Sequence, residues 1–452
     1  MAATFKRILV ANRGEIAVRV IRACHQLGIE AFVAVSEADR ESLAARIANR
    51  AICVGPPRSA DSYLRPEVLV MAALGSGCQA IHPGYGFLSE RAAFARMCAD
   101  AGLIFIGPPA DAIQSMGDKI SAVRLAEEAG VPRVPGSDRV ATVGDACRIA
   151  ADLGYPVLLK AAAGGGGRGM RIVRSEGDMA VALKSAAAEA LGAFGDATLY
   201  IEKLIERARH VEIQILGDAH GNVIHLGERD CSTQRRRQKL IEEAPSPIID
   251  EELRNQLGAA ATNLARRIAY QNAGTVEFIL DESTRHFYFL EMNTRIQVEH
   301  PVTEMVTGRD LVVEQIRIAA GDPISFRQED VRISGHAIEC RINAEDVARN
   351  FAPSPGRVTV WSTPNGEGVR LDSHCYAGYL VPPFYDSLLG KLIVHAANRE
   401  LAIERMQLAL QRFSVIGVPT TIPFHLRVLS HPDFAAGRIT TRWVEEKLLV
   451  ET

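Results

Sequence analysis

The chain has 452 residues, of which 47% are hydrophobic and 23% charged, and its net charge is −3. This composition is typical of a folded protein rather than a disordered or fibrous one, and the length predicts about three domains. The weak net charge excludes a global field that would recruit nucleic acid or an anionic membrane. The N-terminal apolar run is too short for a signal peptide, and no stretch approaches the roughly 20 apolar residues of a membrane span. Because the eight cysteines lack close metal-binding spacing, we expect reduced thiols in a cytoplasmic enzyme.

The first 115 residues alternate between strand and helix patterns. Short β runs occupy residues 7–11, 31–35, 52–55, 80–82 and 103–107. Residues 15–27 carry apolar side chains at helical spacing, and Gly28 follows as a stop signal. This rhythm predicts a mostly parallel sheet over residues 1–115.

The rest of the chain predicts two further regions. Two prolines in residues 131–135 indicate a boundary, and residues 200–320 hold alternating strands followed by a helix near 310–320. A third region begins near Val331. It has predicted strands at 336–343 and 356–361, a turn at 363–366 and a closing helix near 399–413. We therefore predict a multidomain protein of mixed α/β and α+β class.

A glycine-rich segment lies between two predicted strands. Residues 155–160 form a strand-like run that ends in Lys160, residues 161–170 hold the glycines, and residues 171–174 resume a strand. A dinucleotide fingerprint needs a helix after the loop, and a Walker A loop needs a closing Gly-Lys-Ser/Thr. A mobile hairpin whose N–H groups wrap phosphate oxygens is the favoured interpretation, and a disordered surface loop is the alternative.

The most informative segment is residues 291–299, EMNTRIQVE, in which polar and mostly apolar residues alternate. In an extended chain every second side chain shares one face, so an acid, an amide, a cation, an amide and an acid would line one wall. The polar members are Glu291, Asn293, Arg295, Gln297 and Glu299. An exposed edge strand could show the same alternation. The apolar residues 287–290 instead favour a strand buried on both sides.

A second carboxylate, Glu277, lies in the β run 275–280, and a turn at 281–285 connects that run to residues 286–291. This predicts a hairpin that brings Glu277 near Glu291. Two carboxylates and the oxygen of Asn293 form a hard-oxygen set that suits Mg²⁺. Without a cation the paired acids would repel, and one would be expected to take up a proton.

Seven motifs, in order along nearly the whole chain, resemble the biotin carboxylase family. They are ANRGEI at 11–16, HPGYGFLSE at 82–90, MGDK at 116–119, ERDCS at 228–232, EAP at 243–245, residues 291–303, and PPFYDS at 382–387. The resemblance implies an ATP-grasp fold in three parts. These are an N-terminal Rossmann-like α/β domain (1–115), a central ATP-grasp domain (116–330) with a mobile glycine-rich lid at about 134–204, and a C-terminal mixed β/α domain (331–452).

The resemblance also implies the reaction. Bicarbonate and ATP form carboxyphosphate, which carboxylates biotin to give carboxybiotin, ADP and phosphate. The implied cofactors are ATP, two Mg²⁺ (or Mn²⁺) and biotin on a separate carrier protein, because no Ala-Met-Lys-Met biotinylation sequence occurs. Expected partners are biotin carboxyl carrier protein and carboxyltransferase subunits, as in acetyl-CoA carboxylase. A homodimer is expected, with Arg19 and Arg22 at its interface, and neither nucleic acid nor a membrane is expected.

Site residues carried over from the family fall into four overlapping sets. ATP is expected at Lys119, Lys160, Gly165, Gly166, Gly167, Met170, Glu202, Lys203, Leu204, His210, Gln234, Glu277 and Glu291. The divalent ions are expected at Glu277, Glu291 and Asn293. Bicarbonate is expected at Lys239, Arg295, Gln297, the Val298 backbone and Glu299, and biotin at Tyr85 and Arg341. The expected catalytic residues are Glu299, as the general base, and Lys239, Arg295 and Arg341.

Some positions depart from the family pattern. Ala162 and Ala163 stand where many members have Ser-Gly, and Arg237 stands where many have histidine. Asn49 and Arg50 replace a usual acidic pair. None of these changes removes a predicted metal ligand or the predicted base.

Several alternatives stay open at this point. A different ATP-grasp ligase would share the metal ligands but would not need the bicarbonate set, and a nucleotide-sensing scaffold would tolerate loss of the base. His82 is expected to be structural, and an ion pair with Glu339 is the alternative role for Arg341. The final carboxyl acceptor is open between acetyl-CoA, another acyl-CoA, pyruvate and urea.

Overall fold

The computed structural model describes residues 5–137, 139–162 and 170–450. Within these ranges the chain folds into a five-stranded parallel sheet, a three-stranded sheet, one large antiparallel sheet and three two-stranded sheets, together with the helices. In the described part of the chain, no helix is both long and apolar enough to cross a membrane.

The N-terminal region is built on five parallel strands in the order β3-β2-β1-β4-β5. The strands are β1 (Arg7–Val10), β2 (Glu30–Ser36), β3 (Arg50–Gly55), β4 (Ala80–His82) and β5 (Ile104–Phe105). The helices are α1 (Gly14–Gln26), α2 (Leu43–Ile47), α3 (Pro66–Gly75), α4 (Ala92–Asp100) and α5 (Ala110–Gly117). The predicted parallel sheet is confirmed. Gly28, which follows α1, has a φ of +71° that side chains disfavour.

The middle of the chain contributes a three-stranded sheet, ordered β7-β6-β8, and five strands of the large sheet. The helices are α6 (Lys119–Glu128), α7 (Val143–Leu153), α8 (Met179–Phe194), α9 (Glu251–Arg267), α10 (His300–Thr307) and α11 (Leu311–Ala319). The small sheet contains β6 (Val157–Ala161), β7 (Arg171–Val173) and β8 (Leu199–Lys203). The large sheet contains β9 (Ala208–Gly217), β10 (Val223–Arg235), β11 (Gln238–Ala244), β12 (Asn272–Asp281) and β13 (Phe287–Asn293).

The C-terminal region adds three strands to the same large sheet, whose order is β13-β12-β9-β10-β11-β14-β21-β19 with every pair antiparallel. Its strands are β14 (His336–Asn343), β15 (Glu345–Asp346), β16 (Ala352–Pro353), β17 (Gly356–Arg357), β18 (Val360–Ser362), β19 (Val369–Ser373), β20 (Leu380–Val381), β21 (Leu388–Ala396) and β22 (Ser414–Ile416). Its helices are α12 (Arg399–Arg412), α13 (Ile422–Leu429) and α14 (Pro432–Ala435). Because β14 pairs with β11, one sheet joins the middle and the end of the chain.

The helix predicted near residues 310–320 is α11, and its start follows from local chemistry. The Asp310 carboxylate accepts a hydrogen bond from the Val313 amide at 2.8 Å, which satisfies one of the orphan donors of the first turn. Residues on the buried side of α11 and α1 pack together over the parallel sheet. This packing fixes the N-terminal region against the large sheet.

One prediction about β13 is wrong. The strand lies at the edge of the large sheet, and of residues 287–290 only Phe289 is buried. The apolar run therefore does not mark a strand covered on both sides. Phe289 alone reaches the core beneath, where it packs with residues of β9, β12 and α9.

Four buried histidines make the fold sensitive to acid. Burial lowers the pKa of His82 to about 3, of His374 to about 3 and of His425 to about 4, and holds the pKa of His300 well below its usual range. These rings are neutral in the folded state but bind protons once unfolded. Their contribution to stability is therefore present above pH 6.5 and lost as the pH falls toward 4.

In the His425→Gln variant, the folded and unfolded states should no longer differ in proton binding at this position. Its free energy of unfolding should fall less steeply between pH 6 and pH 4, by about 1.4 kcal/mol per pH unit. Glutamine can still donate to the Arg341 carbonyl oxygen, which lies 2.7 Å from the ring. Urea unfolding across this pH range measures the slope, with the exposed His286→Gln as the control. Equal slopes in both variants would contradict the assignment.

Candidate active site

The site begins at the hairpin of β12 and β13. Glu277 and Glu291 are directly opposed across the two antiparallel strands, so the predicted hairpin is confirmed. The strand ends at Asn293, the next residues are irregular, and α10 begins at His300. The prediction of an extended chain as far as Glu299 is therefore wrong beyond Asn293. The turn brings the side chains together at different depths instead of along one flat wall.

Arg295 donates several of the hydrogen bonds that hold this turn. Its guanidinium donates to Asn293 Oδ1 at 3.0 Å, to Gln297 Oε1 at 2.9 Å and to Glu90 Oε2 at 2.9 Å. Glu90 belongs to the 82–90 motif of the N-terminal region. A rigid planar fork held on three sides is well suited to binding a planar anion such as carbonate.

Lys239 on β11 lies at the centre of the cluster. Its ammonium group donates to Glu212 Oε2 at 2.6 Å, to Glu277 Oε1 at 2.8 Å and to Glu299 Oε1 at 2.6 Å. Three carboxylates thus match the three protons of one lysine. Burial alone would lower the pKa of Lys239, but these carboxylates overcome it and raise the pKa well above its usual value.

Glu299 is completely buried and lies between two cations. One carboxylate oxygen accepts from Lys239, and the other accepts from Arg341 Nη2 at 3.0 Å. Burial acts to raise the pKa of Glu299, yet Lys239 and Arg341 hold it well below its usual range. The group is therefore ionised at neutral pH, which is the state that a general base requires.

Arg341 on β14 does not pair with Glu339, so that alternative is wrong. Its guanidinium instead holds Glu242 Oε1 at 2.6 Å as well as Glu299. The Glu339 carboxylate is fully buried and has no hydrogen-bond partner among the described residues. Burial and the neighbouring charge of Glu299 raise the pKa of Glu242 to about 7, although Arg341 acts in the opposite direction.

The residues expected to hold divalent ions carry suitable donors. Asn293 Nδ2 donates to Glu277 Oε1 at 2.9 Å, and His210 Nε2 lies 3.0 Å from Glu277 Oε2. Glu291 lies opposite Glu277, and desolvation followed by the charge of Glu277 raises the pKa of Glu291. Two opposed carboxylates and an amide provide the oxygen ligands that Mg²⁺ takes. The residues present therefore fit a divalent ion, which would relieve the repulsion between the acids.

The Glu291→Gln variant is expected to need more Mg²⁺. Removing one carboxylate ligand should raise the Mg²⁺ concentration for half-maximal ATP cleavage by more than about tenfold, since even outer partners of a metal ligand contribute that much. Titration of Mg²⁺ at saturating ATP measures the change. The exposed Glu329→Gln serves as the control, and identical Mg²⁺ curves for both variants would argue against a metal at Glu291.

The predicted lid, residues 134–204, contains the strand pair that was expected on either side of the glycine-rich segment. Strands β6 and β7 are antiparallel, as expected for a hairpin. Lys160 lies 2.5 Å from the Glu202 carboxylate, and Lys203 donates to the Gly154 carbonyl oxygen at 2.7 Å. Met170 and Leu204 are half-buried. The predicted phosphate-binding glycines Gly165, Gly166 and Gly167, together with Ala163, lie outside the described residues.

Lys119, the first residue of α6, interacts electrostatically with Glu291. Burial lowers the pKa of Lys119, with the charges of Lys160 and Arg237 acting in the same direction and Glu291 opposing them. The charges of Lys160, Arg237 and Glu291 therefore all act on the Lys119 ammonium group. Gln234, buried on β10, is paired with Lys239 across the sheet.

Two of the family departures have visible consequences. Arg237 lies in the turn between β10 and β11 with a φ of +67°, and its charge acts on Lys119, so an arginine in place of the family's histidine adds a full positive charge near Lys119. Asn49 accepts a hydrogen bond from the Ala31 amide at 2.9 Å and supports β2. Arg50 is exposed at the start of β3, and nothing in the structure explains it.

Tyr85 borders a separate small cavity. The cavity has a volume of about 140 Å³ and is lined by Asn12, Arg13, Gly14, Glu15, Tyr85, Gly86, Phe87, His374, Asp386 and Leu388. The Tyr85 hydroxyl donates to Glu15 Oε1 at 2.5 Å. The Val298 carbonyl accepts from Lys391 Nζ at 2.7 Å, and the same Nζ lies 3.0 Å from Glu15 Oε1.

Several residues of the cluster were not predicted from the sequence. Glu212 accepts from Arg229 Nε at 2.6 Å, and both side chains are fully buried. Glu242 and Lys391 belong to the same group of buried charges. The available signal was a charged residue inside a strand otherwise rich in apolar residues, as in Glu212 between Val211 and Ile213. Buried charges of this kind are rare unless they are paired.

Three family models match successive parts of the chain: "Biotin carboxylase, N-terminal domain" at 4–113, "Carbamoyl-phosphate synthase L chain, ATP binding domain" at 118–327, and "Biotin carboxylase C-terminal domain" at 339–446. Biotin carboxylase of Nostoc is 55% identical over 98% of this chain and 99% of its own length. The chain belongs to the biotin carboxylase family. Biotin carboxylase 1 of Bacillus subtilis is 53% identical over 97% of this chain and 98% of its own length.

Solved structures of the family agree with this fold. The biotin carboxylase of Campylobacter jejuni, solved as a beta-gamma-ATP complex, has a TM-score of 0.92 at 48% identity, with 98% of each chain covered. The biotin carboxylase domain dimer of Hydrogenobacter thermophilus 2-oxoglutarate carboxylase, solved with MgADP, ADP and bicarbonate, has a TM-score of 0.92 at 50% identity, covering 100% of this chain and 99% of that one. The predicted ATP-grasp biotin carboxylase fold is confirmed.

Proposed function

We propose that the cluster around Lys239 is where this biotin carboxylase activates bicarbonate with ATP and then passes the carboxyl group to biotin. The observation that carries the proposal is one buried carboxylate, Glu299, kept ionised between Lys239 and Arg341. A charged base inside an anion-binding cluster can take a proton from bicarbonate without repelling it. Its cationic neighbours compensate both negative charges.

In the first step Glu299 accepts the proton of bicarbonate. The deprotonated oxygen forms a bond to the γ-phosphorus of ATP, the bond from that phosphorus to the β-phosphate oxygen breaks, and ADP leaves. Lys239, Arg295, Gln297 and the Val298 backbone hold the carbonate. The Arg295 fork is already rigid, so it binds a planar anion at little cost in conformational freedom.

The nucleotide is assigned to the cleft between the lid strands and the large sheet. Phosphate-binding roles are proposed for Lys119, Lys160, Gly165, Gly166 and Gly167. Residues proposed to line the adenosine are Met170, Glu202, Lys203, Leu204, His210 and Gln234. Glu277, Glu291 and Asn293 would hold two divalent ions, which when bound neutralise phosphate charge so that an anion can approach the γ-phosphorus.

In the second step the bond between the carboxyl carbon and the phosphate oxygen of carboxyphosphate breaks, the phosphate that leaves takes the N1′ proton of biotin, and N1′ forms a bond to the carboxyl carbon. Arg341 is proposed to stabilise the phosphate and the negative charge that develops on the biotin ureido oxygen. Tyr85 is proposed to border the biotin ring. Both side chains are already held by carboxylates, Arg341 by Glu242 and Tyr85 by Glu15, which keeps them in place before the substrate enters.

The test is ADP release from the purified chain with Mg²⁺, ATP and free biotin. The proposal expects ADP release to require bicarbonate and to be stimulated by free biotin. Bicarbonate-independent ADP release, or release that biotin leaves unchanged, would favour another ATP-grasp ligase.

We also propose how the protein assembles. A biotin-dependent carboxylase subunit needs a biotin carrier and a carboxyltransferase, and we propose that these are separate chains. We further propose a homodimer, as in the Hydrogenobacter domain. Of the two predicted interface arginines, Arg19 is buried and paired with Glu304 and Asp310, whereas Arg22 is exposed.

The family models begin and end close to the proposed domain limits of 1–115, 116–330 and 331–452. All eight cysteines are free thiols, which supports a cytoplasmic location.

A further inference from the structure

A buried chain of hydrogen bonds runs behind the proposed bicarbonate site. Lys391 Nζ donates to the Val298 carbonyl oxygen at 2.7 Å and lies 3.0 Å from Glu15 Oε1. That same Glu15 oxygen accepts from the Tyr85 hydroxyl at 2.5 Å. Lys391 is 0% exposed and Glu15 is 2% exposed. The proposed reaction uses neither group directly.

The chain joins three distant parts of the sequence. Lys391 comes from the C-terminal strand β21, Glu15 from the first helix, α1, and Tyr85 from the loop after β4. Val298 directly precedes Glu299 in the turn that leads into α10. One lysine therefore connects the proposed bicarbonate turn to the proposed biotin-bordering tyrosine.

The buried lysine is electrostatically costly, so its partners matter. An ammonium group without water around it is tolerated only when charges and hydrogen bonds compensate it. Asp372, which faces Lys391 across the sheet, is bound by Arg370 at 2.7 Å, and Glu339 on the neighbouring strand makes no hydrogen bond to Lys391. Among the described residues, Glu15 and the Val298 carbonyl are thus the groups that the Lys391 ammonium contacts directly.

The contact with Val298 has a direct geometric effect on the base. The Val298 carbonyl and the Glu299 amide lie in one planar peptide unit. Anchoring that carbonyl from behind fixes the plane, and the plane sets the direction in which the Glu299 side chain leaves the backbone. An error of about 1 Å at a reacting group can cost roughly a hundredfold in rate.

We infer that Lys391 is a positioning residue that fixes the bicarbonate turn through the Val298 carbonyl and couples it, through Glu15, to Tyr85 at the biotin side. The inference rests on the proposed function and extends it. The Lys391–Glu15 ion pair sets the geometry of both substrate sites. A change in this pair should therefore weaken the binding of bicarbonate and biotin and leave nucleotide binding unchanged.

The first variant to test is Lys391→Met, assayed by bicarbonate-dependent ADP release. KM for bicarbonate is expected to rise at least about tenfold and kcat to fall, while KM for ATP stays within about twofold. At the other end, Glu15→Gln keeps an oxygen for Tyr85 but loses the charge for Lys391, so the KM values for biotin and bicarbonate should rise together. A purely structural role would not divide the KM values in this way.

The matched control is Arg254→Met. Arg254 also compensates a buried carboxylate, Glu228, at 2.7 Å, but it contacts none of the proposed site residues that the structure describes. Its KM values should stay within about twofold of the wild type. If Lys391→Met does not fold, the double variant Glu15→Gln/Lys391→Met removes both charges together, and its KM values provide the same test.

Different results would overturn the positioning role of Lys391 and the proposed function. A folded Lys391 variant, single or double, with an unchanged KM for bicarbonate overturns the positioning role. A tenfold rise in KM for ATP would also overturn it, because the defect would then be general. A wild-type protein without bicarbonate-dependent, biotin-stimulated ADP release would overturn the proposed function itself.

Discussion

The Glu299→Gln variant is expected to lower kcat for bicarbonate-dependent ADP release by about 10²–10⁴-fold, the usual contribution of a positioned base. The carboxamide has the shape of the carboxylate but cannot accept the bicarbonate proton at neutral pH. KM for ATP should change little, because Glu299 belongs to the carbonate side of the cluster. Steady-state kinetics with coupled detection of ADP measures both quantities.

The fold should tolerate this change, which makes the activity loss interpretable. Lys239 keeps Glu212 and Glu277 as partners, and Arg341 keeps Glu242. The control is Glu314→Gln, another buried carboxylate, which accepts from Ser325 at 2.7 Å away from the cluster. A Glu299→Gln enzyme with more than a tenth of wild-type kcat would contradict the role of Glu299 as the general base.

The Lys239→Met variant is expected to be inactive and to lose about 3–5 kcal/mol of unfolding free energy at pH 7, the usual result of removing one partner from a buried charge cluster. Three carboxylates would remain without their shared ammonium group. Their pKa values in the folded variant would rise, so the folded state would bind protons more readily than the unfolded chain. The stability deficit should therefore shrink as the pH falls from 7 toward 5.

Urea unfolding at pH 7 and pH 5.5 measures this effect. The control is Lys447→Met, since Lys447 pairs with Asp433 at 3.0 Å while 58% of its side chain is exposed. An exposed pair contributes only about 0–1 kcal/mol. A Lys239→Met protein as stable as the control variant at both pH values would contradict the role given to Lys239 in the cluster.

Local patterns in the sequence were enough to predict the framework of the site. Alternation of short β runs and helices predicted the parallel sheet, because covered parallel strands are apolar along their length. The turn at residues 281–285 predicted the hairpin that opposes Glu277 and Glu291. Residues 336–343 were correctly predicted as the strand that carries Arg341. Each of these features depends on neighbours within a few residues.

The rest of the site depends on contacts that no local pattern encodes. Strand β13 ends at Asn293 because the chain then turns and leads into α10. This turn brings Arg295 against Glu90, about 200 residues earlier in the sequence. Arg341 pairs with Glu299 and with Glu242 on the neighbouring strand, where the antiparallel register of β11 and β14 places Glu242 directly opposite Glu339, two residues before Arg341. Long-range pairings of this kind are fixed only when the whole sheet forms.

The most direct measurement follows oxygen from bicarbonate. With ¹⁸O-labelled bicarbonate, ATP, Mg²⁺ and free biotin, we expect one labelled oxygen in each phosphate released, because a bicarbonate oxygen forms the bond to the γ-phosphorus. The Glu299→Gln enzyme should release labelled phosphate at a rate lower by the same factor as its kcat. Phosphate that carries oxygen from water alone, released at an undiminished rate, would contradict bicarbonate activation at this cluster.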